Sequence, residues 1–292
     1  MTDIATSLHW PQVSRRPRDD ELDSYGITHR GKLRPENQDH FLIGQLRGRL
    51  AVKISSLPDI ERLPIEEERV GSFMMVADGV GGGLKGEQAS RMTLEVTTKY
   101  LAESARCYYR FDEEGIDLVQ ALEEGALKCS EAIQERAAQD ESAAGMATTL
   151  TLFIGAWPWA YLLQVGDSRY YQYHDGELTQ ISRDQTVAQE LADQGIMPRD
   201  LMAHSPLTHV LSSSIGGRQT APVVKRIPLT WGTTHLLCSD GLTRHVSDSK
   251  IAERLGAMKS AQQVAEQLIQ DALDGGGSDN VTVVVGRAVP HE

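Results

Sequence analysis

The chain has 292 residues, 40% apolar and 24% charged, a composition that excludes a disordered chain and is ample for a hydrophobic core. Its formal net charge of -12 excludes the basic surplus that a nucleic-acid binder needs against phosphate backbones, and suits a protein that collects carboxylates around divalent cations. Three cysteines without CxxC spacing (Cys107, Cys129 and Cys238) and no run near the roughly 18–20 apolar residues of a membrane span predict a reducing, cytoplasmic setting with no disulfide framework, zinc site or membrane.

Residues 1–23, with Pro11, Pro17 and a charged cluster, read as an irregular arm before a domain at 24–290. From Tyr25 the chain is strand-like, breaks at the polar stretch 29–39, and resumes with the apolar run 40–43. A further strand is expected at 50–54, a surface loop at 55–70, and a fully buried strand at 73–77, where five apolar residues run together. Helical spacing of apolar residues predicts helices over 86–103 and 117–139. Strands return at 148–155, 160–165 and 170–173, followed by an Asp175-Gly176 turn. A mixed region spans 184–217, then strands at 235–238 and 281–285 enclose helices at 248–255 and 261–273. Strands in direct succession, with helices in blocks, indicate an α+β layered fold.

Several aspartates fall at strand boundaries. Asp78 and Asp240 end apolar runs and are each followed by glycine, Asp167 follows another, and Asp39 and Asp279 each precede one. In antiparallel sheets the end of one strand lies beside the start of its neighbour, so these carboxylates can meet on one edge. Carboxylates so placed repel unless cations neutralise them, and hard oxygen ligands suit magnesium or manganese. Asp-Gly is also an ordinary turn, so the pattern alone leaves turn aspartates and a metal centre as alternatives.

Six segments in order resemble the motif series of the metal-dependent, type 2C serine/threonine protein phosphatases, in their bacterial branch. They are Arg34-Pro35-Glu36-Asn37-Gln38-Asp39, Val76-Ala77-Asp78-Gly79-Val80-Gly81-Gly82, Ala147-Thr148-Thr149-Leu150, Val165-Gly166-Asp167-Ser168-Arg169 (the family's hairpin motif), Leu237-Cys238-Ser239-Asp240-Gly241-Leu242 and Ser278-Asp279-Asn280-Val281-Thr282. The resemblance implies a four-layer αββα sandwich of two antiparallel sheets flanked by helices. It implies two Mn²⁺ or Mg²⁺ ions, with Asp78 bridging both, the Gly79 carbonyl on one, Asp240 and Asp279 completing the other, and Asp39 serving directly or through water. Asp167, shared with Asp240, is the matching carboxylate for a third ion. Arg34 is the expected phosphate-binding residue, because a guanidinium can donate two parallel hydrogen bonds. A metal-activated water would attack phosphorus in line, without a phosphoenzyme.

The expected role is dephosphorylation of phosphoserine and phosphothreonine on proteins by a monomer that opposes a cognate serine/threonine kinase in a bacterial-type cell. Val80 stands where animal members carry a histidine, and His40, His204 and His209 match no family acid. Arg169 reads as a structural ion-pair partner, Gly216 and Gly217 as hinges of a flap at 184–217. One rival keeps the fold but acts on an anti-sigma-factor antagonist, for which no sensor domain is in view. A second is a non-catalytic phosphoprotein scaffold, which would have lost ligands, whereas all the core aspartates are present.

Overall fold

A computed structural model describes residues 15–47, 50–56, 69–81, 84–108, 116–140, 143–202 and 205–290. The strands are β1 (Leu22–His29), β2 (Asp39–Arg47), β3 (Leu50–Ser55), β4 (Arg69–Val80), β5 (Ala147–Thr148), β6 (Leu150–Ala156), β7 (Trp159–Val165), β8 (Arg169–His174), β9 (Glu177–Gln180), β10 (Val223–Pro228), β11 (Thr234–Cys238) and β12 (Val281–Ala288). The helices are α1 (Leu84–Tyr108), α2 (Ile116–Gln139), α3 (Val187–Asp193), α4 (Arg199–Met202), α5 (Asp240–Thr243), α6 (Asp248–Gly256) and α7 (Ala261–Asp274). His204 and residues 1–14 of the expected arm lie outside the described residues, as does most of the expected loop at 55–70.

Two antiparallel sheets stack face to face. One runs β1-β12-β11-β8-β9; the other runs β10-β7-β6-β4-β2-β3, with β5 paired to β4. This is the layered arrangement expected, and β4 shows why its sequence reads as a continuous apolar run. Phe73, Met75 and Ala77 face a core shared with α1 and α2, while Met74 and Val76 face the other sheet. Both faces are buried, so the alternation of a half-solvated strand is absent. On the opposite side Val281, Val283 and Val285 of β12 pack toward α6 and α7, and Val284 turns to the inter-sheet layer.

Four features differ from the expectations. β1 begins at Leu22, and the described residues 15–21 before it are tied in: Glu21 is buried and accepts bonds of 2.7 and 2.5 Å from Arg15. The strand β10 escaped the sequence reading because it is an edge strand ending in Pro228, with only Ile227 fully buried. Gly166-Asp167-Ser168 is no hairpin within a sheet: β7 and β8 belong to different sheets, so this turn carries the chain across the sandwich. Gly216 is not free to hinge. Its φ is +78°, its N–H donates to Ser130 Oγ at 3.0 Å, and an added Cβ would lie 2.4 Å from Ile133.

Candidate metal centre

Asp39 and Asp78 are register partners where β2 begins and β4 nears its end. In the facing sheet, β11 runs antiparallel to β12, so Asp240, just past the end of β11, lies near Asp279, just before β12. The aspartates therefore meet at one end of the sandwich, with contributions from both sheets; the single sheet edge expected from the sequence is replaced by a seam. Asp167 joins them from the crossover between β7 and β8.

Hydrogen bonds from distant parts of the chain hold Asp39, Asp78 and the Asp167 turn in place. Ser239 Oγ and Thr282 Oγ1 each donate to Asp39 Oδ2 at 2.7 Å, and Thr282 N donates to Ser239 Oγ at 2.9 Å. Asp78 N donates to Thr149 Oγ1 at 3.0 Å, while Thr148 Oγ1 donates to the Asp78 carbonyl at 2.8 Å. Ser168 and Thr149 share a hydroxyl bond of 2.7 Å, which couples the Asp167 turn to the Asp78 strand end. Gly79 leaves no room for a side chain: a Cβ would lie 2.2 Å from the Gly86 carbonyl and 2.8 Å from that of Gln38.

Asn280, which the sequence reading did not single out, organises the Arg34 loop. Its Nδ2 donates to the carbonyls of Arg30 and Glu36 at 2.9 and 2.8 Å, and its Oδ1 accepts from Gln38 N at 2.9 Å. Arg34 then reaches the rim of the centre, with Nε 2.8 Å from Asp279 Oδ1 and Nη2 2.9 Å from Oδ2, and stays half-exposed. A second guanidinium was also missed. Arg244, one helical turn after Asp240, grips Asp240 Oδ2 with Nε at 2.9 Å and with Nη2, and places Nη1 3.3 Å from Asp279 Oδ2. The spacing i,i+4 from Asp240 was its only sequence signal.

The electrostatics are those of crowded anions. Burial pushes Asp39 up to about 7 against the bonds from Ser239 and Thr282, with Asp240 and Asp279 raising it further. Burial, then the charges of Asp39, Asp240, Asp167 and Asp279, hold Asp78 well above the usual carboxylate range. Asp167 is raised by burial and by Asp240, and Asp240 by burial despite its Arg244 partner. Among the described residues no three of these side chains are drawn closed around a single point. The donor set nonetheless fits divalent cations: it is all oxygen, Asp39 Oδ1 is buried without any protein partner, and Gly79 admits no Cβ.

Other candidates take structural places. Arg169 forms a forked ion pair with Asp184 at 2.7–3.1 Å, as expected. His40 is buried against Ser90 Oγ at 3.0 Å, and burial lowers it to about 4, so at neutral pH it is an uncharged imidazole rather than an imidazolium acid. Cys238 is fully buried, which pushes its thiol up to about 12. His209 lies exposed on the turn Pro206–His209, near enough for its charged form to favour ionised Asp240.

Comparison with known proteins identifies the family. The family model for Protein phosphatase 2C matches residues 63–275. The serine/threonine protein phosphatase PstP of Mycobacterium tuberculosis is 37% identical over 221 residues, which cover 75% of this chain and 41% of that protein; the chain thus spans well under half of this relative's length. The serine/threonine phosphatase stp of Listeria monocytogenes is 29% identical over 214 residues, covering 73% of this chain and 83% of that protein. The crystal structure of the PstP catalytic domain in complex with 2 manganese ions superposes with a TM-score of 0.69 at 31% identity, covering 92% of this chain and 99% of that one. With its fold, its motif order and this match over most of its length, the chain belongs to the protein phosphatase 2C family.

Proposed function

We propose that this protein is a metal-dependent serine/threonine protein phosphatase that hydrolyses phosphoserine and phosphothreonine on bacterial proteins and opposes a serine/threonine kinase. The observation that carries the reading is the convergence of Asp39, Asp78, Asp240 and Asp279 from two sheets, with Asp39 Oδ1 buried and unpartnered. Two divalent ions would be held by Asp78, the Gly79 carbonyl, Asp240 and Asp279, with Asp39 beside them. When bound, such ions neutralise the carboxylates, lower the pKa of water and polarise phosphoryl oxygens.

The chain's own groups supply the rest. Arg34 sits at the rim on a loop clamped by Asn280, and its fork can hold two equatorial phosphoryl oxygens. Water attacks phosphorus opposite the seryl or threonyl oxygen; the new P–O bond forms as the bond to the leaving oxygen breaks, with no phosphoenzyme. Asp39, held through Oδ2 by Ser239 and Thr282, keeps Oδ1 as an acceptor at the centre. No helix of the described residues is long and apolar enough to cross a membrane, which is in keeping with action on cytoplasmic phosphoproteins.

The test is hydrolysis of a phosphothreonine peptide by purified protein with manganese. Activity that EDTA abolishes and manganese restores is expected. Hydrolysis indifferent to chelation, or none with any divalent ion, overturns the reading.

A further inference from the structure

The five carboxylates of the centre face two guanidinium groups, and the two are placed differently. Arg34 arrives from a loop and is 49% exposed in its side chain. Arg244 is carried on the turn after α5, is 29% exposed, and is engaged with two carboxylates at once. Its Nε and Nη2 both take the same oxygen of Asp240, Oδ2, while Nη1 approaches Asp279. No other aspartate oxygen of the centre is held by a cationic group from within its own helical turn.

We propose that Arg244 is a resident cation of the centre: its guanidinium holds Oδ2 of Asp240 and approaches Asp279, and so engages the carboxylate that a third divalent ion would have to share with Asp167. The proposal rests on the metal-centre reading. Charge balance supports it. Two divalent ions and one guanidinium neutralise Asp39, Asp78, Asp167, Asp240 and Asp279, which leaves Arg34 to meet the incoming phosphate. A guanidinium cannot give up its proton near neutral pH, so this cation is permanent, and a third metal would have to displace it from a forked bond in a partly buried site.

The test counts ions rather than turnover. Manganese bound per chain is measured by equilibrium dialysis and by calorimetric titration, on the wild type, Arg244→Ala, Arg244→Lys and the double variant Arg244→Ala with Asp167→Asn, each checked for folding by circular dichroism. The expected result is about two ions on the wild type and about three on Arg244→Ala, the added one weak as sites with few carboxylates are. Arg244→Lys should stay near two, since a cation remains, and the double variant should return to two. Equal counts on the wild type and Arg244→Ala, or three on the wild type, would overturn the proposal while leaving the metal centre standing. No manganese on any variant would overturn both. If Arg244→Ala does not fold, Arg244→Met and Arg244→Lys compared with the wild type decide the same question: three ions on Met and two on Lys support it, equal counts sink it.

Discussion

Asp39 and Asp78 stand opposite each other as cross-strand partners, so two carboxylates occupy one rung of the β2–β4 ladder. Like charges directly opposed in a sheet destabilise it. This rung is held in place by neighbouring hydroxyls and by the packing of β4, and a bound cation would relieve the repulsion between the two carboxylates.

Asp78→Asn removes one charge from that rung. Without metal, the variant should melt above the wild type by several degrees, at roughly 2–4 °C for each kcal/mol in a protein of this size. Manganese should raise the melting point of the wild type and leave the variant almost unmoved. A variant that melts lower in EDTA, or that gains as much from manganese, contradicts the assignment.

Asp240→Asn should abolish turnover and leave the fold intact. The loss at limiting manganese should exceed the roughly 10–100-fold typical of groups that only support a ligand. Near-normal rates under those conditions would remove Asp240 from the ligand set.

Arg34→Ala should lower kcat/KM by about 10–100-fold, as expected for one or two charge-assisted hydrogen bonds. Arg34→Lys should recover only part, since an ammonium cannot form the fork. A specificity constant equal to the wild type in either variant would show that Arg34 serves the fold through Asp279 instead.

Asn280→Ala should loosen the Arg34 loop by stripping Arg30 and Glu36 of their shared donor and Gln38 of its acceptor. A stability loss of about 2 kcal/mol is expected, because the exposed loop can regain some bonds from water. The activity loss should resemble that of Arg34→Ala, and combining the two should add little. Full additivity would mean that Asn280 does not act through Arg34.

His235 tests the inter-sheet layer. It is buried, bonded through Nδ1 to the Tyr170 hydroxyl at 2.8 Å and packed 4.6 Å from the Phe153 ring, and burial lowers it to about 4. The unfolded chain therefore binds more protons between the ordinary histidine value and about 4. Stability is complete above pH ~6.5 and falls as pH drops through that window, by an order of 3 kcal/mol for this residue. His235→Phe should flatten that acid slope; Tyr170 keeps its bond from Gln172 Nε2 at 3.1 Å. An unchanged slope would show that other groups set the acid limit.

The residues that announce themselves in the sequence are those whose neighbours are local. The run Phe73 to Ala77 reads as a buried strand because both of its faces are apolar, and the aspartates stand out because strand ends are marked by the apolar runs beside them. β10 was not legible, since an edge strand with exposed Val223 and a terminal proline lacks that mark. Asn280 and Arg244 were missed for a different reason. What they do depends on carbonyls some 250 positions away in one case, and on one turn of a four-residue helix in the other, too short to show a period. The motif order carries the family resemblance, whereas Arg244 meets Asp240 and Asp279 only once the chain has folded.

The seam at the end of the sandwich also has a bearing on assembly. Asp39 and Asp78 lie in strands of one sheet, while Asp240 and Asp279 flank the ends of β11 and β12 in the other, so each layer carries half of a clasp. The two halves are brought together where Phe41, Met74 and Phe153 pack with Tyr170, Leu237 and Val284. Ion uptake at the proposed centre would thereby favour the docked form by mass action. A chain whose layers had slipped apart would lose the seam before it lost either sheet, so the site is a feature of the docked sandwich and not of its parts.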